Sequence, residues 1–350
     1  MIQFRHLFFL LILTIIIGCK SDDSEVLPDI SDQQVKLNWV RYDKELLKLD
    51  EDKPLASYNR LLIKYPQLTD LYFKKLMQVY HPNPDSLKAR LQIFISDGRI
   101  NDLGQKVNIA FPDTDQLENN LTEALKYYQH YFPGKPLPRF YTLFTEYGYP
   151  TFIFDDADQR DGIGIGLDLF LGKNYDYKSI NPTDPVFSDY ITRTYDKEYL
   201  VKKTMEMIIQ DAIGPPPGKR FIDRMINQGK KIYLLKKVLP TTPDSIIYEY
   251  TSSQMAWMNA SELQVWDYYL SEELMYETNH LKLSKFLNPA PSTQGMPESA
   301  PGRTTDYIGY KIVDAYMKRQ TDNTMADLIN MQDSQLLLEQ SRYKPKRKAK

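Results

Sequence analysis

Three consecutive prolines, Pro215-Pro216-Pro217, bracketed by Gly214 and Gly218, constrain this chain more than any other feature. Proline fixes φ, lacks an amide donor and clashes with the preceding turn, so no helix runs through the break. Before it, Leu200, Met205, Ile208, Ile209, Ala212 and Ile213 recur at helical spacing. After it, the run from Met225 to Leu235 is again helix-like. The stretch from Tyr199 to Leu239 therefore predicts two buried helices joined by a rigid turn.

The region before this pair changes period. Leu117, Leu121, Leu125, Tyr128 and Phe132 mark a helix, with Asp113, Thr114 and Asp115 offering capping chemistry at its start. Pro133-Gly134 stops it. Arg139–Phe144, Thr151–Phe154 and Ile163–Phe170 then read as three short strands, aromatic or alternating, with turns at Gly148 and over Asp155–Gly162. Gly162, Gly164 and Gly166 lack the spacing and the Gly-Lys-Ser/Thr of a phosphate loop, so close backbone approach on a strand accounts for them. Asp156, Asp158 and Asp161 do not make a calcium loop. Counted from Asp156, the fifth ligand position is Arg160 and the twelfth is Leu167, which leaves a plain acidic turn.

The N-terminus fixes the compartment. Arg5 and His6 precede an apolar run from Leu7 to Ile17, the pattern of a secretory signal, too short to span a bilayer comfortably. Its end, Ile16-Ile17-Gly18-Cys19, resembles a bacterial lipobox, although leucine is commoner at the Ile16 position. Cys19 is the only cysteine, so the exported chain has no internal disulfide, and a thioether to lipid would remove an otherwise free thiol. Residues 19–34, beginning Lys20-Ser21-Asp22-Asp23-Ser24-Glu25, read as a flexible tether. Its acidic residues resemble surface-export signals of Bacteroidetes lipoproteins, or form a plain solvated linker, leaving the membrane face open.

From Val35 to Ile100, four apolar stripes closed by proline or glycine predict helices. Toward the C-terminus, Ser252–Leu270 and Tyr307–Met317 are helix-like. Met255, Met258, Leu263, Trp266 and Tyr269 are placed for packing, with Glu262 and Asp267 outside. Between these helices, Pro289–Gly302 reads as a long surface loop, either a binding loop or a connector. Arg303 is a structural or solvated residue, or an anion ligand. The tail, 344–350, is basic and either touches anionic headgroups or only solubilises. These blocks give an α+β fold that is mostly helical. The expected units are a signal peptide at 1–18, the tether at 19–34 and one globular domain at 35–343. That domain comprises a helical N-terminal part (35–112), a core with a small β-sheet (113–240) and a helical C-terminal cap (241–343). A net charge of −2 argues against a nucleic-acid surface, and 42% apolar content is ordinary for a packed core.

Strands followed by helix, turn and helix is also the layout of a metallopeptidase (zincin-like) core. Such a core needs two histidines four apart with a glutamate beside the first, and a third ligand from a later helix. Aligned on Met205-Glu206-Met207-Ile208-Ile209, the glutamate is present, but Met205 and Ile209 occupy the histidine positions. Asn227-Gln228-Gly229 resembles a Glu-Gly third-ligand signature carrying the neutral Gln228. A thioether and an alkyl group cannot replace two imidazoles on zinc. Glu206 is then expected to be a partly exposed helix residue. No catalytic residue, metal or cofactor is expected.

Several runs together resemble the gliding-motility lipoprotein GldB family of Bacteroidetes, itself related to predicted zinc-dependent peptidases. They are the lipobox at Cys19, Gly164–Gly172 (Gly-Ile-Gly-Leu-Asp-Leu-Phe-Leu-Gly), Arg224–Tyr233 (Arg-Met-Ile-Asn-Gln-Gly-Lys-Lys-Ile-Tyr), Leu239-Pro240, Gln254–Trp257, Pro301–Arg303 leading into Ile308–Val313, and Ser341–Lys346. The resemblance covers nearly the whole exported chain. It implies a lipid-anchored outer-membrane protein of the gliding and associated secretion machinery, binding protein partners on a zincin-like scaffold that has lost its metal motif. The competing expectation is a cell-envelope hydrolase with a carboxylate-based site around Glu206, Asp211 or the strand aspartates. That site would show as a polar cleft where carboxylates converge and at least one has a raised pKa.

Overall fold

The strand-like stretches form one four-stranded mixed sheet of order β1-β2-β4-β3. The strands are β1 (Asn38–Arg41), β2 (Arg139–Leu143), β3 (Thr151–Asp155) and β4 (Asp161–Gly166). The computed structural model describes residues 27–345. The signal sequence, Cys19, the acidic start of the tether and the end of the basic tail lie outside the described residues. Strands β1, β2 and β4 run parallel, and β3 returns antiparallel along the edge of β4. Strand β1 falls inside a stretch whose stripes predict helix only. Four residues are too few for a period to show. What holds them is pairing with β2 and the indole of Trp39, stacked on Phe140 at a ring-centroid distance of 6.2 Å. The glycines of β4 do accommodate close approach. A Cβ on Gly164 would lie 2.1 Å from the Phe152 ring across the ladder.

The predominant structure is helical. The N-terminal part holds α1 (Pro54–Lys64), a short helix at Pro66–Leu71 continuing into one π-helical turn at Tyr72–Leu76, then α2 (Pro84–Ser96) and α3 (Gly98–Ala110). Helix α3 departs from expectation, because Asp97-Gly98 reads as a stop. The Asp97 side chain instead caps the new helix by accepting the Arg99 N–H at 2.8 Å. The pattern was weak because Gly98, Asn101, Gly104 and Asn108 dilute the apolar face of Ile100, Leu103 and Val107. Helix α4 (Asp115–Tyr131) starts as expected, but the Thr114 hydroxyl does not cap it. That hydroxyl accepts from Trp39 Nε1 at 3.1 Å and donates to Glu118 at 2.7 Å, tying α4 to β1.

The helix pair at the proline break is present as α5 (Lys197–Ile213) and α6 (Phe221–Val238). Helix α5 packs on α4, β3 and α6, and α6 makes its most extensive contact with α8 (Thr304–Arg319), which follows α7 (Ser252–Ser271). At the crossing of α6 and α8 two glycines face each other. A Cβ on Gly229 would stand 2.2 Å from backbone atoms of Gly309, and one on Gly309 would stand 2.2 Å from the Met225 carbonyl oxygen. Only residues without side chains let the two backbones approach this closely. Residues 288–303 carry no helix or strand, as the Pro- and Gly-rich composition predicts, yet Thr293 and Ala300 are buried, so the loop is packed down rather than free. Helix α9 (Ser334–Ser341) closes against α8.

The acidic turn between β3 and β4 is tied to β2. Asp156 accepts the Tyr141 hydroxyl at 2.7 Å and pairs with Arg139 at 3.3 Å. Glu262, expected on the outside of α7, is instead drawn in by Tyr343 at 3.0 Å, Tyr307 at 3.4 Å and Lys311 at 3.6 Å, whereas Asp267 is exposed.

Candidate functional site

Helix α5 projects two faces with different chemistry. Met205 and Ile209 are completely buried in the apolar core. The next face carries Lys202 and Glu206, one turn apart, where i and i+4 side chains meet. Lys202 Nζ reaches Glu206 at 2.6 Å, and Lys231 from α6 reaches the other Glu206 oxygen at 2.8 Å. Glu206 is partly exposed, as expected, but it is not left to solvent. It is clamped between two ammonium groups.

The same lysine continues the network. Lys202 and Lys203 both contact Glu249 Oε1 at 2.8 Å, and Arg303, at the N-terminus of α8, donates to Glu249 Oε2 at 2.9 Å. Asp306 lies 3.9 Å from Arg303 Nε. Glu249 and Arg303 both sit in the left-handed region, at φ 56° and 57°. Non-glycine residues are held there only when their surroundings over-determine them. The Tyr250 hydroxyl, donating to the Arg303 carbonyl at 2.9 Å, is one such constraint.

Electrostatics follow from this arrangement. Burial works to raise the pKa of Glu206, but Lys202 and Lys231 outweigh it and hold the carboxyl far below its ordinary range. Glu249 behaves alike: burial opposes its charge, and Lys202, Lys203 and Arg303 more than restore it. Asp306 goes the other way. Its burial dominates over the attraction of Arg303 and Lys231, and its pKa is raised.

Glu206 and Glu249 border a cleft of about 220 Å³, with Arg193, Lys203 and Arg303 on its wall and the 289–302 loop on its rim. Gln228 lies elsewhere. It lines a larger cleft of about 540 Å³ with Met207, Gln210, Asp211 and Lys231, and its Oε1 is buried without a hydrogen-bond partner among the described residues. Of the four positions aligned with a zinc site, Met205 and Ile209 thus go to the core, Glu206 to one cleft and Gln228 to another. These residues do not fit a zinc ion: two are apolar, one is a neutral amide and the carboxylate is already neutralised by two lysines. Among the described residues, no group of three or more His, Cys, Asp and Glu side chains is placed to hold a metal. Sequence reasoning missed Lys202, Lys231, Glu249 and Arg193. A lysine one turn before Met205 on an apolar stripe, and a lone acid between Tyr248 and Tyr250, were the available signals.

The sequence profile of the family described as gliding motility protein GldB matches residues 23–345. The chain belongs to the GldB family. Its membership makes it a gliding-motility lipoprotein, which is consistent with a place in the cell envelope. No curated protein matches the chain, and no solved structure does. No helix among the described residues is long and apolar enough to cross a membrane. Two of the runs that carry the GldB resemblance meet in space. Arg224–Tyr233 supplies Gly229 and Lys231, and the segment from Pro301 to Val313 supplies Arg303 and Gly309.

Proposed function

We propose that this GldB-family lipoprotein is non-catalytic and acts by binding protein partners of the gliding and associated secretion machinery, anchored in the outer membrane by lipid on Cys19. In this reading residues 1–18 are removed, residues 19–34 are a tether, and residues 35–343 form one domain whose 113–240 core is a degenerate zincin-like scaffold. The observation that carries it is the clamp on Glu206. A general base must be free to take a proton, and a carboxylate held between Lys202 at 2.6 Å and Lys231 at 2.8 Å is stabilised as a spent anion. The test is metal analysis of the purified protein after incubation with zinc. Sub-stoichiometric, EDTA-labile metal is expected, and one tightly held zinc per chain would overturn the reading.

A second reading keeps one observation in its favour. Burial, then Asp211 and Asp155, raise the pKa of Asp161, the behaviour of a carboxylate in an acid–base site. Asp155, Asp161 and Asp211 are all exposed, however, and of the three only Asp211 is on the wall of a cleft. Hydrolysis of a peptide substrate that is lost in Asp161→Asn would revive the hydrolase.

A further inference from the structure

The cleft bordered by Glu206 and Glu249 has more positive charge than it uses. Its wall carries three cations, Arg193, Lys203 and Arg303, against two carboxylates, and both carboxylates are already engaged. Glu206 spends one oxygen on Lys202 and the other on Lys231, and Glu249 spends one on the two lysines and the other on Arg303. Arg193 is left over. It donates to the backbone carbonyl of Glu249, and among the described residues no carboxylate forms an ion pair with it. Burial acts against its charge more than its neighbours support it. Guanidinium does not lose its proton in proteins, so Arg193 keeps its charge at the cleft wall, where an anion from outside can meet it.

The shape narrows the class of anion. At about 220 Å³ the cleft is smaller than the roughly 300–1,000 Å³ of cavities that enclose whole ligands, so it suits the end of a larger molecule. Pro150, Pro289, Pro301 and Tyr250 give it flat apolar walls beside the charged floor, as a terminal residue with a side chain requires. Two anionic side chains on the wall disfavour a doubly charged phosphate and tolerate a single negative charge. Glu249 and Arg303, fixed in left-handed backbone, keep the floor preformed.

We propose that this cleft receives the C-terminal carboxylate of a partner polypeptide, with Arg193 as the principal counter-charge and Lys203 and Arg303 beside it. The proposal rests on the partner-binding reading and names the chemistry of one contact. The probe is a pair of fluorescent random-sequence short peptide pools, identical except that one ends in a free carboxylate and the other in an amide. Both are titrated into the detergent-solubilised lipoprotein. The free-acid pool is expected to bind at least about 10-fold more tightly. Arg193→Gln should abolish that preference and Arg193→Lys should keep part of it, with thermal melting as the check on folding. If Arg193→Gln fails to fold, Pro289→Glu, on the exposed rim, places a carboxylate at the mouth and should weaken only the free-acid pool. Equal binding of the two pools, an unchanged preference in Pro289→Glu, or displacement by phosphate at lower concentration than by acetate would overturn the proposal. Partners still crosslinked to Arg193→Gln in cells, with no peptide preference in the wild type, would remove this cleft alone and leave partner binding elsewhere on the surface standing.

Discussion

At the scale of single residues, two buried carboxylates make opposite demands on pH. Glu249 neutralises Lys202, Lys203 and Arg303 in a region with little solvent. Removing one partner of a buried network strands the others, so Glu249→Ala is expected to cost about 3–5 kcal/mol in urea unfolding. Its lowered pKa means that its contribution is present above the ordinary carboxylate range and is lost as pH falls through the folded value. Asp168 is the reverse. It is fully buried, Oδ2 accepts the N–H of Thr145 at 3.0 Å and of Tyr147 at 2.6 Å, and Oδ1 has no partner among the described residues. Burial wins over those two donors and pushes the pKa up to about 6. The folded state therefore favours the protonated form, and this stabilisation is full below about pH 4 and lost as pH rises through about 6. Thermal melts between pH 4 and 7 should show the wild type losing about 2–3 kcal/mol relative to Asp168→Asn, whose neutral amide does not titrate. Neither demand was visible in the sequence. Asp168 reads there as part of an alternating strand, and its orphaned oxygen is set by contacts with the loop at Thr145–Tyr147.

At the scale of elements, the sequence was legible where punctuation was strong. The triple proline ends α5 as read, and the alternating run read over Ile163–Phe170 marks β4, though the strand ends at Gly166 and Leu167–Leu169 turns into a 3-10 helix. Legibility failed where a long-range contact decides the structure. Strand β1 exists because β2 is beside it, and α3 because Gly104 lets Leu47 and Phe144 lie against its backbone. The crossing of α6 and α8 is of the same kind. Gly229 looked like the tail of a ligand signature, whereas its role is to meet Gly309. Because the atoms in the way are backbone, neither helix can yield cheaply, and Gly309→Ala is expected to cost about 1–3 kcal/mol in urea unfolding without changing the denaturant slope. The displaced crossing would also shift Arg303, which begins α8.

At the scale of the whole molecule, family and fold class were readable, since the GldB match spans residues 23–345 and the architecture is α+β. The charge network was not, because it joins residues from 202 to 303 that no local pattern links. The anchoring proposal is tested at this scale. Cys19→Ala should move the protein from the membrane to the soluble fraction and weaken colony spreading, and a variant that still sediments with membranes would count against lipid attachment. The order of the sheet adds a mechanical consequence. The first strand of the chain, β1, is an edge strand whose one strand partner is β2, with the Trp39 indole riveting it to Thr114. Under the proposed anchoring, a pull along the N-terminal segment would first strip Ile30, Val35 and Leu37 from the body and then load this four-residue ladder, so that β1 would act as a mechanical fuse ahead of the helical body.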